Sequence, residues 1–367
     1  MRLTLHRLDI PFRQSFAHAS AVRRRTESVI VVARDNDLAG HGEGCPRAYV
    51  TGETVATAKA FFETHHRALE RHVCDLETLR EWMSLHRALL DRNPAAWCAV
   101  ELALLDLFAR RRGWTVERLL GLPALCGGFR YSAVIGIESA ESFAHIVERY
   151  RRSGFRDFKL KLSGDSAVDR ERLATLRALP DARVRVDANN RWQTSVEAIA
   201  YLRALGGAIF GIEEPLAAGD WNGLAAIGDA LNTRIILDES CTRPETLAHL
   251  RDDPERWIVN VRVSKMGGVL RALDFVEHAN RAGIAVIVGA QVGETSLLTR
   301  AALTVATVAR PQLLAQEGAF GEHLIERDPF SPVLTFGARG VLPAAIVPNA
   351  AGWGLTPCAV PGGNPHA

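Results

Sequence analysis

The chain has 367 residues, 44 Lys and Arg against 42 Asp and Glu for a net charge of +2, and 47% apolar residues. This balance excludes an electrostatic drive toward nucleic acid or an anionic membrane surface. The length and apolar share suit a globular protein of more than one domain. Six scattered cysteines, with no CxxC pair and no Cys/His ligand spacing, exclude a disulfide scaffold and a zinc site. They read as reduced, mostly buried thiols.

The opening segment, MRLTLHRLDIPFRQ, is broken by charge and lacks the apolar core of a signal peptide. The most apolar helical stretch, Trp97 to Ala109, is interrupted by Glu101 and Asp106 and is too short to span a bilayer. The expectation is a cytoplasmic protein without membrane or nucleic-acid partners. The Arg runs at 23–25 and 110–112 are short enough to be solvated faces.

Residues 1–125 predict an α+β domain. Residues 27–33, rich in β-branched side chains, predict a strand; Asp35-Asn36-Asp37 supply a turn, and 38–45 return as a Gly-rich strand. Helical patterns follow from Thr54 to His72, from Leu76 to Leu90 and from Ala95 to Arg111, the last opened by Asn93-Pro94. The GHGEG at 40–44 lacks the following helix and lysine of a phosphate loop, and predicts a strand packed closely by backbone instead.

Residues 126–327 change character. Candidate strand ends near Ile135, Lys161, Asp187, Glu213, Asp238, Lys265, Ala290 and Glu317 recur every 25 to 27 residues, the length of one βα unit. Helices are predicted at 168–178, 195–205, 244–251 and 269–282. Eight such units predict a (β/α) barrel. The Pro- and Gly-rich tail, 328–367, is expected to return to the first domain, with a frayed end at 362–365.

In this fold the carboxyl-terminal strand ends converge on one mouth. Asp187, Glu213 and Asp238 close three consecutive units. Their charges would repel strongly without a cation, and a hard divalent ion with oxygen ligands, such as Mg²⁺ (Mn²⁺ as a substitute), answers that need. Glu214 competes with Glu213, because alternation forbids both from pointing inward. Lys159 and Lys161 share one face of the second strand. Lys265, at the expected end of the sixth strand, lies across the axis from them. Two lysines flanking a metal-held substrate suit proton removal next to a carboxylate, with the metal, the second lysine and partial burial pushing Lys161 toward its neutral amine. The product would be an enediolate.

These motifs resemble the enolase superfamily, and within it the muconate lactonizing enzyme subgroup. The resemblance rests on KLKL at 159–162, VDANNRW at 186–192, IEEP at 212–215, LDES at 237–240 and VSKMGG at 263–268. Outside the barrel it includes Tyr49-Val50-Thr51-Gly52-Glu53 and the segment Ala99 to Asp106. It implies a modified (β/α)7β barrel with an N-terminal capping domain, Mg²⁺ on Asp187, Glu213 and Asp238, and Lys161 and Lys265 as the acid/base pair. Lys159 is implied as the electrostatic partner of Lys161. That lysine bases and Mg²⁺ accompany one another in this superfamily is established chemistry.

The departures narrow the function. The seventh unit ends Val288-Gly289-Ala290-Gln291 with no histidine, unlike the mandelate racemase subgroup. Gln316 to Glu322 lacks the Asp-x-Asp of dipeptide epimerases, which argues against a dipeptide, and Glu317 with Phe320-Gly321 stands closer to the cycloisomerase pattern. Capping loops at 14–25 and 45–53 bring His18, Arg24 and Tyr49 as candidate substrate contacts, joined by Asn189, Glu294 and Glu317. The leading expectation is a racemase or epimerase of a small carboxylate, such as an N-acylated amino acid, working as a homo-oligomer. Cycloisomerisation or β-elimination through the same enediolate comes second. A Schiff-base aldolase on Lys161 or Lys265, and a metal-binding barrel without activity, are the competing readings.

Overall fold

The computed structural model describes residues 1–18 and 21–358. The side chain of His18 and the frayed end expected at 362–365 lie outside the described residues. Strands β1 (Arg2–Leu8), β4 (Ser28–Asp35) and β5 (Leu38–Gly44) form an antiparallel sheet in the order β1-β4-β5, while β2 (Pro11–His18) and β3 (Ala21–Arg25) pair as a separate hairpin. Between β4 and β5 the turn runs through Asn36 at φ 50°, a conformation that Asn tolerates better than most side chains.

Six helices follow: α1 (Ala48–Thr51), α2 (Val55–His72), α3 (Leu76–Leu85), α4 (Arg87–Arg92), α5 (Pro94–Arg111) and α6 (Val116–Leu120). The helix expected from Leu76 to Leu90 breaks at His86. Its ring stacks on Trp82, and its Nδ1 lies 2.8 Å from the Trp82 carbonyl. The GHGEG segment is the floor on which α5 lies. A Cβ at Gly40, Gly42 or Gly44 would meet the carbonyl oxygens of Ala103, Ala99 and Ala95 at 2.0 to 2.2 Å. Only glycine lets the helix backbone approach the strand this closely.

After β6 (Gly128–Arg130), eight parallel strands follow: β7 (Ala133–Ile135), β8 (Asp157–Lys161), β9 (Arg183–Asp187), β10 (Gly211–Glu213), β11 (Arg234–Leu237), β12 (Trp257–Arg262), β13 (Ala285–Gly289) and β14 (Leu313–Gln316). They pair in unbroken sequence order. A bridge from Tyr131 to Gln316, with Ser132 N donating to the Gln316 carbonyl at 2.8 Å, joins the last strand to the entry of the first.

The crossovers carry α7 (Ala140–Arg152), α8 (Ser166–Arg177), α9 (Ser195–Ala204), α10 (Trp221–Leu231), α11 (Val263–Met266), α12 (Val269–Ala282) and α13 (Ser296–Ala309). Seven crossovers join eight strands, as a (β/α)7β barrel requires. The helix expected at 244–251 is a 3₁₀ segment, Pro244–Leu250. The sixth strand also differs from expectation, because β12 ends at Arg262 and Lys265 lies in the following helical turn.

Buried acids lock the two domains together. Glu101 of α5 accepts from Val269 N and Leu270 N at 2.7 and 2.8 Å, and Glu43 of β5 accepts from Thr295 Oγ1 at 2.6 Å. Each closes the open amino-terminal turn of a barrel helix, where unpaired N–H groups favour negative charge. From the tail, Trp353 donates its indole N–H to the Leu102 carbonyl at 3.1 Å, and Val341–Pro343 pairs with β6. Of the six free cysteines, Cys45, Cys98 and Cys241 are buried while Cys74, Cys126 and Cys358 are exposed, so the expected burial holds for half of them. Among the described residues, no helix is long and apolar enough to cross a membrane.

Candidate active site

Strand alternation builds the barrel interior in charged layers. β8 sends Asp157, Lys159 and Lys161 inward, and β9 sends Arg183, Arg185 and Asp187 at the same levels, since these residues pair in register. The intervening Phe158, Leu160, Val184 and Val186 pack outward in the core. At the lowest layer Arg183 and Arg185 both bind Asp157. One layer up, Arg185 reaches Glu317 Oε1 at 2.9 Å. In the same layer, Lys159 Nζ lies 2.7 Å from Glu213, 3.1 Å from Glu317 and 3.2 Å from Asp187. At the mouth Lys161 Nζ donates to Asp187 Oδ2 at 2.8 Å and to Asn189 Oδ1 at 3.2 Å.

The expected carboxylates are thus brought together, each paired with at least one buried cation. Arg262 donates to Asp238 Oδ2 and stands 3.6 Å from Glu213 Oε1. Burial opposes charge on Asp187, but Lys161 and Lys159 outweigh it and hold that carboxyl below its ordinary range. Asp238 is likewise buried and lowered, by Arg262 and Lys265. Glu213 goes the other way. Burial, with Asp187, Glu317 and Asp238 close by, pushes it up to about 7 despite Lys159. Burial also opposes the Lys159 ammonium, yet Glu213, Glu317 and Asp187 raise its pKa.

Glu214 does not share the mouth with Glu213. At φ 37° its backbone turns the carboxylate toward the next loop, where it accepts from Asp238 N, Ser240 N and Ser240 Oγ at 2.7 to 2.9 Å. It therefore positions the loop that carries Asp238.

Lys265 is the main correction. Instead of entering the barrel at a strand end, its buried ammonium donates to the carbonyls of Asp238 and Asn260 at 2.6 and 2.7 Å and to Asp238 Oδ1 at 2.8 Å. It does not line the cavity at the mouth. That place on the sixth strand belongs to Arg262, which faces the cavity together with Lys159, Lys161, Asn189, Glu239 and Gln291.

The cap closes this cavity, of about 60 Å³, with Phe16 and Tyr49, and the loop after β14 adds Phe320 and Leu324. Tyr49 therefore stands where the capping loops were expected to act, and its hydroxyl accepts from Arg23 Nε at 3.4 Å. Arg24, the expected contact, is exposed, because alternation along β3 gives the inward position to its neighbour. Glu294 also falls short of the cavity and accepts from Gln291 N at 2.6 Å within its own loop. Glu317 lines the cavity floor but is held by Lys159 and Arg185.

Arg262 and Arg185 were missed as site residues. A period-2 reading would have found both: in WIVNVR, Ile258, Asn260 and Arg262 share a face, and in RVRVD, Arg185 shares one with Asp187.

An eight-stranded barrel with converging carboxylates and lysines under an α+β cap defines an enolase-like protein. Residues 142–359 match the family described as Enolase C-terminal domain-like, and the chain belongs to that family, within the enolase superfamily. It is 31% identical over 326 residues, 85% of this chain and 87% of the other, to an L-Lys-D/L-Arg epimerase of Methylococcus capsulatus. It is 30% identical over 293 residues, 77% and 76% of the two chains, to an N-succinylamino acid racemase of Thermus thermophilus. The solved structure of a dipeptide epimerase from Methylococcus capsulatus, complexed with Mg and the dipeptide L-Arg-D-Lys, superimposes with a TM-score of 0.77 at 29% identity, covering 96% of this chain and 98% of that one. The chain is an enolase-superfamily enzyme whose named relatives are isomerases.

Proposed function

We propose that this protein removes the proton next to the carboxylate of a small substrate, with Lys161 as the base. The observation that carries this reading is Lys161 at the cavity beneath the cap, its Nζ donating to Asp187 at 2.8 Å, with Lys159 and Arg262 joining Asp187, Glu213 and Asp238 into one buried cluster next to it. The donor set fits Mg²⁺, being all hard oxygen from three adjacent strands. Burial, with Asp187, Glu317 and Asp238 close by, pushes the Glu213 carboxyl up to about 7. Among the described residues no three His, Cys, Asp or Glu side chains already stand as a metal cage, since ammonium and guanidinium groups lie between the carboxylates. Asp187, Glu213 and Asp238 would hold the ion, and bound Mg²⁺ would supply positive charge to the enediolate.

The chain's own groups do the rest. Lys161 takes the proton. Lys159 stays charged and keeps Glu213 and Glu317 in place. Asn189, whose N–H donates to Asp187 Oδ1 at 3.0 Å, orients both Asp187 and Lys161. Tyr49, Phe16 and Phe320 exclude water. Gln291 keeps a buried amide nitrogen without a protein partner at the cavity, suited to a substrate carboxylate or acyl oxygen.

Racemisation or epimerisation is the outcome that the relatives' names support. Gly318 and Phe320, rather than a pair of acids, face the cavity after β14. That favours an N-acylated amino acid over a dipeptide with a free ammonium. A second reading, β-elimination or cycloisomerisation through the same enediolate, is favoured by Arg262 in place of a second lysine. An aldolase on Lys265 is disfavoured because three short hydrogen bonds hold its amine. The test is α-proton exchange in D₂O with Mg²⁺ across N-acyl amino acids, dipeptides and unsaturated diacids. Exchange that EDTA abolishes supports the reading, and no exchange across the panel sinks it.

A further inference from the structure

Racemisation needs a proton carrier on each face of the α-carbon. β8 and β12 lie four strands apart in an eight-stranded barrel, so their inward ends face each other across the axis. Lys161 occupies one end and Arg262 the other, and both line the cavity. Arg262 is buried and anchored, with Nη1 donating to Gln291 Oε1 at 3.1 Å and Nη2 to Asp238 Oδ2. A guanidinium keeps its proton at any physiological pH and is no base toward carbon. The lysine that the chain has near that strand, Lys265, is directed into the backbone behind Asp238.

We infer that this protein exchanges the α-proton on one face of its substrate only, the face of Lys161, and that Arg262 is a positioning residue on the opposite face. The inference rests on the proton-abstraction reading above. The C–H bond breaks, its proton passes to the Lys161 amine, and the electron pair enters the enediolate. The same ammonium then returns the proton to the same face with retention. Alternatively, the electron pair expels a β-leaving group, which for a lactone is the ring carboxylate; in the reverse direction that carboxylate adds to the double bond and Lys161 delivers the proton to the enediolate, again as the proton carrier.

The experiment follows deuterium uptake by the wild-type holoenzyme with Mg²⁺, using separate R and S enantiomers of a panel of N-succinyl amino acids. One enantiomer should exchange with retention, and its inversion should be at least about 100-fold slower, the scale of a missing acid or base. Comparable exchange of both enantiomers, or their interconversion, overturns the inference and leaves the proton-abstraction reading standing. No exchange by either enantiomer of any compound overturns both. Arg262→Lys should acquire exchange of the second enantiomer. Should that variant not fold, the wild-type comparison decides alone. Glu239, the other titratable group on that side of the cavity, is controlled by Glu239→Gln, which should keep the one-face pattern. Loss of exchange there, with exchange retained in Lys161→Gln, would overturn the assignment.

Discussion

The two sides of the barrel mouth are built from similar sequence and behave differently. On the β8–β9 side, strand ends carry the proposed base and one proposed metal ligand directly. Lys161 and Asp187 are the last residues of their strands, paired in register, and both point inward. On the β11–β12 side, the strand end is Arg262, and the lysine three residues later has been carried out of the mouth by one helical turn. A lysine at such a place serves as a cross-link between backbone carbonyls. What a residue does here is decided by strand parity and by where pairing stops, more than by its chemical type.

The sharpest way to test this contrast is to remove each lysine in turn. Lys161→Ala should lower α-proton exchange by about 10³-fold or more, while chemical denaturation reports a smaller loss of stability than for Lys265→Met, because Lys159 still pairs with Asp187. Lys265→Met should do the reverse in kind. It strips the buried Asp238 carboxylate and two carbonyls of their donor, at a cost of about 3–5 kcal/mol, read as a lowered denaturation midpoint. If Lys265→Met were as stable as wild type and lost only exchange, the contrast between the two sides would collapse.

Metal binding comes next in size. Asp187→Ala should abolish the heat of Mg²⁺ binding in titration calorimetry, and equal binding by both proteins would contradict the ligand assignment. Because Glu213 holds its proton up to about 7, wild-type Mg²⁺ affinity should rise with pH through that region as the ion displaces the proton.

A smaller effect separates the mouth from the domain joint. Burial pushes the Glu101 carboxyl up to about 7 from an ordinary 4.5, against hydrogen bonds from Leu270 and Val269. Between those values the native state holds more protons than the unfolded chain. The contribution of Glu101 to stability therefore falls as pH rises through this window. Thermal unfolding should show Glu101→Gln losing less stability than wild type between about pH 5 and about pH 8. An identical pH profile for the two proteins would place the strain elsewhere.

The smallest expected effect is that of Arg24→Ala. This surface change should alter KM by no more than about two-fold, whereas Arg23→Ala, which removes the Arg23 donor from the Tyr49 hydroxyl, should alter it more. A larger effect at Arg24 would reverse the hairpin parity seen in β3.

Much of this protein was legible in its sequence, because the determinants are periodic. The spacing of 25 to 27 residues is the length of a strand, a helix and two turns, so eight repeats already specified the barrel. Three acids at matched places in consecutive repeats marked the mouth, and the glycines of GHGEG marked a strand under a helix. Other features depended on contacts between distant segments. Whether β12 stops at Arg262 or runs on to Lys265 depends on where β13 ceases to pair with it, which is at Gly289 opposite Arg262. Whether Glu317 is free for a substrate depends on Lys159 and Arg185, more than 130 residues earlier in the chain. Arg23 rather than Arg24 reaches Tyr49 because the β2–β3 hairpin fixes which side faces the barrel. Local spacing determined the architecture and the carboxylate cluster; long-range pairing decided which cation faces them, because only the closed barrel sets the direction of each side chain.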